Sequence, residues 1–166
     1  MPWAAYAAEP ESLGPKADIL TYRCKIVSVY ARLHELSFQY GSILINEDEK
    51  VIFHASKEAV RAFDDIRGEL ESIHVPGEMD KSHRVLIRSV NSYTQSARNI
   101  EKALGIFIGE YQGEEKETLE LLDKSEALAE LGNKYLAESL NMHENLFVMD
   151  GEVSKSCKKY VASISY

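Results

Sequence analysis

Apolar residues recur along this chain at alternating steps of four and three, the spacing that lines one face of a helix. The first such stretch runs Ile19, Tyr22, Ile26, Val29, Leu33, Leu36, Tyr40, Ile43. Gly14-Pro15 stands before it, and proline suits a first helical turn because its missing N–H would be unpaired there anyway. A second stretch runs Ile52, Ser56, Ala59, Phe63, Ile66, Leu70, Ile73 and stops at Pro76-Gly77. Asn46 and Glu49 ahead of it have capping-box spacing. The third runs Met79, His83, Leu86, Val90, Tyr93, Ala97, Ile100, Leu104, Phe107, Tyr111, with Gly113 as its stop. The fourth runs Leu121, Ser125, Leu128, Gly132, Tyr135, Ser139, Met142, Leu146, Met149 and ends at Asp150-Gly151. Ser125, Gly132 and Ser139 repeat every seventh residue, a stripe that lets a neighbouring helix approach closely or leaves room for a ligand.

Four long amphipathic stretches with short connections predict an all-α fold, an antiparallel up-down-up-down four-helix bundle. Its expected extent is residues 15–150, after an N-terminal tail at 1–14. Residues 151–166 form a C-terminal tail or a short fifth helix through Val153, Cys157, Val161 and Ile164. Residues 42–53 carry a second reading. Ile43-Leu44-Ile45 and Val51-Ile52-Phe53 flank an acidic turn as the arms of a β-hairpin would. That turn lacks the Asn-Gly or Asp-Gly dipeptide of a tight hairpin, so a helical joint is the preferred reading.

Composition narrows the class without naming it. The 166 residues are 45% apolar and 28% charged, as in an ordinary globular domain. No stretch approaches the roughly 20 uncharged apolar residues of a membrane-spanning helix. The net charge is −8, and residues 101–150, with twelve acids against four lysines, supply all of it in sum. A nucleic-acid partner would need a basic stripe to displace counterions, and none is visible. The acidic run reads as a solvated helix face.

The bundle topology brings two groups of residues together. The joints near 46 and 113 lie at one end, where Ile45, Val51, Ile52, Phe53, Ile106 and Phe107 form an apolar tip. Three consecutive apolar residues cannot all face one core from a helix, so the tip is a candidate surface for a protein partner or self-association. Toward the other end, His83 and His143 lie thirty residues either side of the 113 joint, and His74 is near that level. Glu71 precedes His74 with Glu-x-x-His spacing, which shares one helix face. Imidazoles and a carboxylate on converging helices are ligands that zinc or iron would use, so these four are the candidate metal site. Against it, a di-metal bundle needs a second Glu-x-x-His and further inward glutamates, which are missing.

Cys24 and Cys157 also fall toward that end and are a candidate disulfide. Unbonded, they fit the cytoplasm by default; bonded, they imply an oxidising, extracytoplasmic compartment. Buried tyrosines of the seams need hydroxyl partners, which Ser56, Ser125 and Ser139 could supply. No phosphate-cradling glycine loop, nucleophile elbow or HExxH is present. The sequence therefore points to a non-catalytic interaction or sensory module with no cofactor. A metal-binding bundle and a small-ligand sensor are the alternatives.

Overall fold

The computed structural model describes residues 15–45, 48–143 and 157, with side chains from residue 19 onward. Four helices follow one another: α1 (Pro15–Ile43), α2 (Glu49–Ser72), α3 (Asp80–Phe107) and α4 (Glu115–Met142), with one 3-10 turn at Gly77–Met79 before α3. No strand occurs among the described residues. Ser42 and Ile43 close α1 and Val51 to Phe53 belong to α2, so the hairpin reading of 42–53 is replaced by a helical joint. The tail at 1–14, the positions Leu146 and Met149, and the fifth-helix positions other than Cys157 lie outside the described residues.

Two boundaries differ from the sequence reading. Asp48 caps α2, its carboxylate accepting from the N–H groups of Lys50 and Val51. Glu49 opens the helix instead of sitting at its third position, so the Asn46–Glu49 capping box does not apply. The third helix ends at Phe107, not Tyr111. Gly109 takes a φ of +82°, which a residue with a Cβ rarely adopts, and the chain turns back until the Tyr111 N–H donates to the Gly105 carbonyl at 2.9 Å. The Tyr111 ring then covers Gly105, where a Cβ would collide with it. The stop is Gly109 rather than Gly113.

Cross-helix contacts fix the topology. Tyr40 pairs with Ser56, Arg98 with Asp64, and Ser96 with Ser125. Each helix is therefore antiparallel to the one before it, as an up-down-up-down bundle requires. The core is built from the seam residues, including Tyr22, Ile26, Val29, Leu33, Phe63, Leu70, Leu86 and Val90. Burying each such large side chain contributes roughly 1.5–3 kcal/mol.

The tightest pairing is α3 with α4, followed by α2 with α3 and then α1 with α2. Small residues explain the tight pair. The residues that α4 buries are Thr118, Ser125, Gly132 and Ser139. Facing them on α3 is a second seven-residue stripe, Ser82, Ser89, Ser96 and Ala103, all buried. Cys24 on α1 is bonded to Cys157, with Cα atoms 5.1 Å apart, so the C-terminal segment is tied back to the first helix.

Candidate functional site

The α1–α2 and α3–α4 joints meet at one end. Phe53 and Tyr111 make an edge-to-face contact there at 5.7 Å. The apolar tip divides in two. Ile45, Phe107 and Val51 are 84%, 66% and 44% exposed, whereas Phe53 is 4% exposed. Ile52 and Ile106 are half-buried, and Ile52 packs against the core. Phe53 therefore belongs to the interior, because Tyr111 folds over it after the Gly109 turn.

Just inside the tip, the α4 side of the bundle opens into a cleft. Its outer part has a volume of about 390 Å³ and is walled by Leu44 from the first joint, Ile52 from α2, Ile100 and Leu104 from α3, and Leu122 and Ala129 from α4. An inner part of about 210 Å³ shares Leu44 and Ala129 and reaches Ser37, Tyr93 and Asn133. The cleft follows from the α3–α4 stripes. Small residues draw α4 onto α3, and α1 meets α4 through long tyrosine side chains.

Those tyrosines build the buried polar cluster at the histidine end. The Tyr22 hydroxyl lies 3.3 Å from Nδ1 of His83 and 3.2 Å from Nε2 of His143. Nε2 of His83 donates to the Leu70 carbonyl at 3.0 Å, which leaves Nδ1 as the acceptor for Tyr22. Nδ1 of His143 donates to the Ser139 carbonyl at 2.9 Å, which leaves Nε2 to accept from Ser82 at 2.9 Å. Tyr30 reaches Ser139 Oγ and Nδ1 of His143, and Ser139 donates to the Ser82 carbonyl at 2.9 Å. With both imidazoles neutral, each of their nitrogens has a partner.

Burial holds both histidines below their ordinary value. For His83, the Leu70 carbonyl and Asp80 pull the other way. For His143, the Ser139 carbonyl opposes the shift and the nearby His83 adds to it. Burial also pushes the phenols up, Tyr30 and Tyr40 to about 12 and Tyr22 further.

His74 and Glu71 do not join this cluster. The helix ends at Ser72 and Ile73 is extended, so the Glu-x-x-His spacing no longer shares a face. Both side chains are exposed, and Glu71 faces Arg67. Among the described residues, no three His, Cys, Asp or Glu side chains converge as metal ligands. Ser82 and His143 stand at the distance of a nucleophile and its base, a pair that seam counting did not find. Both are buried in the helix interface, and the Ser82 hydroxyl also reaches the Met79 carbonyl at 2.9 Å. The arrangement is that of a satisfied interior network.

The chain matches no family profile, no curated protein and no solved structure.

Proposed function

We propose that this chain is a non-catalytic helical-bundle binding module that engages an apolar partner, another protein or a second copy, at the α1–α2/α3–α4 tip. The observation that carries the reading is the exposure of Ile45, Val51 and Phe107 at the end where the bundle is also cleft. Large apolar side chains grouped at one end of a helical domain are a common mark of a contact surface. The Cys24–Cys157 bond supports an oxidising compartment as the place of action. No helix among the described residues is long and apolar enough to cross a membrane.

Sedimentation velocity over a concentration series tests the reading, with fluorescence of an apolar dye as a second measure. Association or dye binding that Ile45→Glu and Phe107→Glu abolish is the expected result. A monomer at every concentration that also ignores the dye overturns it.

The cleft favours a second reading, that of a small-ligand sensor. Its inner end holds Ser37, whose Oγ is buried and has no hydrogen-bond partner among the described residues.

A further inference from the structure

We propose that the groove walled by Leu44, Ile52, Leu104 and Leu122 takes an amphipathic helical segment of another protein, one with lysines or arginines flanking its apolar face. The inference rests on the reading of the tip as a contact surface and names the chemistry of the partner.

Exposed apolar side chains extend this groove. Phe107 stands one turn beyond Leu104 on α3, and Leu119 one turn before Leu122 on α4, so each carries a wall of the groove outward. They are 66% and 60% exposed. Leu119 and Ala129 are ten residues apart on α4, about 15 Å at 1.5 Å per residue, or nearly three turns. A volume of about 390 Å³ between helical walls receives inserted side chains rather than a whole helix. A docking helix engages a groove in that way, with anchors at i, i+3 or i+4, and i+7. No strand edge exists among the described residues for an extended peptide to join.

Charge chooses the partner. Glu126 lines the groove, and no lysine or arginine does. Glu115 and Glu130 lie eleven residues before it and four after it, spacings that put all three on one stripe of α4. All three are exposed. The lysines of this part of the helix, Lys116 and Lys124, each lie 4.0 Å from Glu120 on another face. The acidic stripe is therefore without a cation among the described residues. A two-fold dimer through this surface would set the same acids against one another, because such an interface repeats each residue. An acidic segment would meet the same repulsion. Lysines or arginines beside an apolar face would meet carboxylates instead. Rim charges of this kind select the partner and steer its approach, while apolar anchors supply most of the affinity.

The test titrates the full-length protein into labelled peptides of about 18 residues, five turns of helix, read by fluorescence anisotropy. One carries leucines on one face and lysines on the other. A second has glutamates in place of the lysines. A third is the lysine peptide scrambled so that no face is apolar. The lysine peptide should bind at least about tenfold tighter than either of the others, and more weakly as salt rises. Phe107→Ser together with Leu119→Ser, both at exposed positions, should weaken it by about tenfold or more while circular dichroism stays helical. Glu126→Lys should weaken the lysine peptide by about three- to tenfold and strengthen the glutamate peptide. Binding that neither the serine pair nor Glu126→Lys alters places the peptide elsewhere and overturns the site. A scrambled peptide that binds as tightly as the ordered one overturns the groove, because net charge alone then accounts for binding. A glutamate peptide that binds as tightly overturns the basic partner and leaves the contact surface standing. Binding by none of the three overturns this inference, and sedimentation then decides the broader reading. Self-association through Ile45 and Phe107 keeps that reading, and a monomer that also ignores the apolar dye ends both.

Discussion

Ser89 on α3 donates its hydroxyl proton to the backbone carbonyl of Gly132 on α4, across 2.8 Å. One heptad to either side the relationship recurs: Ser139 donates to the Ser82 carbonyl and Ser96 to the Ser125 carbonyl, both at 2.9 Å. A side-chain hydroxyl can reach a neighbouring helix's carbonyl only when the two backbones run close together. Matching seven-residue stripes of small residues therefore set both the separation and the register of this pair. The same close approach leaves the rest of α4 standing away from α1, which is where the cleft lies.

That closeness makes Gly132 sensitive to a single methyl group. A Cβ there would fall 2.9 Å from the Tyr93 ring. The ring has little freedom to yield, since it stacks on Phe63 at 5.6 Å and its hydroxyl is held by Asn133. Alanine gains about 1 kcal/mol over glycine in helix propensity. Overpacking costs about 1–3 kcal/mol. Gly132→Ala should therefore be destabilising by about 1 kcal/mol. Gly68, about one turn before the end of α2, has nothing within 4 Å of its would-be Cβ, so Gly68→Ala should stabilise by about 0.5–1 kcal/mol. Urea denaturation of the two variants beside the wild type checks the opposite signs.

Acid should weaken the fold through His83 and His143. Burial lowers both in the folded chain, while in the unfolded chain each takes up its proton near the ordinary value of about 6.5. Below that pH the unfolded state binds more protons, so their contribution is fully present above pH 6.5 and is lost as the pH falls. Two such groups give a slope of up to about 2.7 kcal/mol per pH unit. Denaturation series between pH 7 and 5 should show stability falling, and His143→Gln should roughly halve the slope. A flat profile in the wild type would show that the pair accepts protons while folded.

Much of this was legible in the sequence, and the gaps have physical causes. The four-and-three spacing of Tyr22, Ile26, Val29 and Leu33, and its counterparts, marks the buried faces because burial follows apolar periodicity. Counting from the 113 joint also puts His83 and His143 at one level, since rise per residue is constant in a helix. Serine in the seams was only partly readable. Tyr40 finds Ser56 and Tyr30 finds Ser139, but Ser125 bonds Ser96 instead. The stripe Ser82, Ser89, Ser96 was missed because serine scores as polar, although its spacing matches that of Ser125, Gly132 and Ser139. The cleft and the fold of Tyr111 over Phe53 depend on interhelix distances and on one glycine conformation, which no periodicity carries.

Breaking the Cys24–Cys157 bond should destabilise the chain substantially. The bonded residues are separated by 133 positions, so the bond constrains nearly the whole unfolded ensemble. Closing so long a loop contributes about 5 kcal/mol in the chain-entropy treatment, and losing a native bond typically costs about 2–5 kcal/mol. Adding a reductant should lower the urea midpoint of the wild type. Cys157→Ser should start from the lower midpoint and show no further response. An unchanged midpoint on reduction, with thiol titration confirming that the bond is open, would contradict this account.

Tyr22 and Tyr40 are both buried tyrosines with raised pKa values, yet their hydroxyls should matter unequally. Tyr40 pairs with Ser56 at 2.8 Å, and Ser56 also donates to the Ile52 carbonyl. Tyr40→Phe leaves Ser56 still bonded and should cost about 1 kcal/mol or less. The Tyr22 hydroxyl is the donor to Nδ1 of His83, whose other nitrogen is committed to the Leu70 carbonyl. Tyr22→Phe strands a buried lone pair and should cost about 1–3 kcal/mol. If the cost is the stranded lone pair, removing that lone pair as well should relieve it. His83→Leu in the Tyr22→Phe background should then destabilise less than in the wild type, a coupling of at least about 0.5 kcal/mol in a double-mutant cycle. Strict additivity of the two changes would mean that the Tyr22 hydroxyl does not satisfy His83.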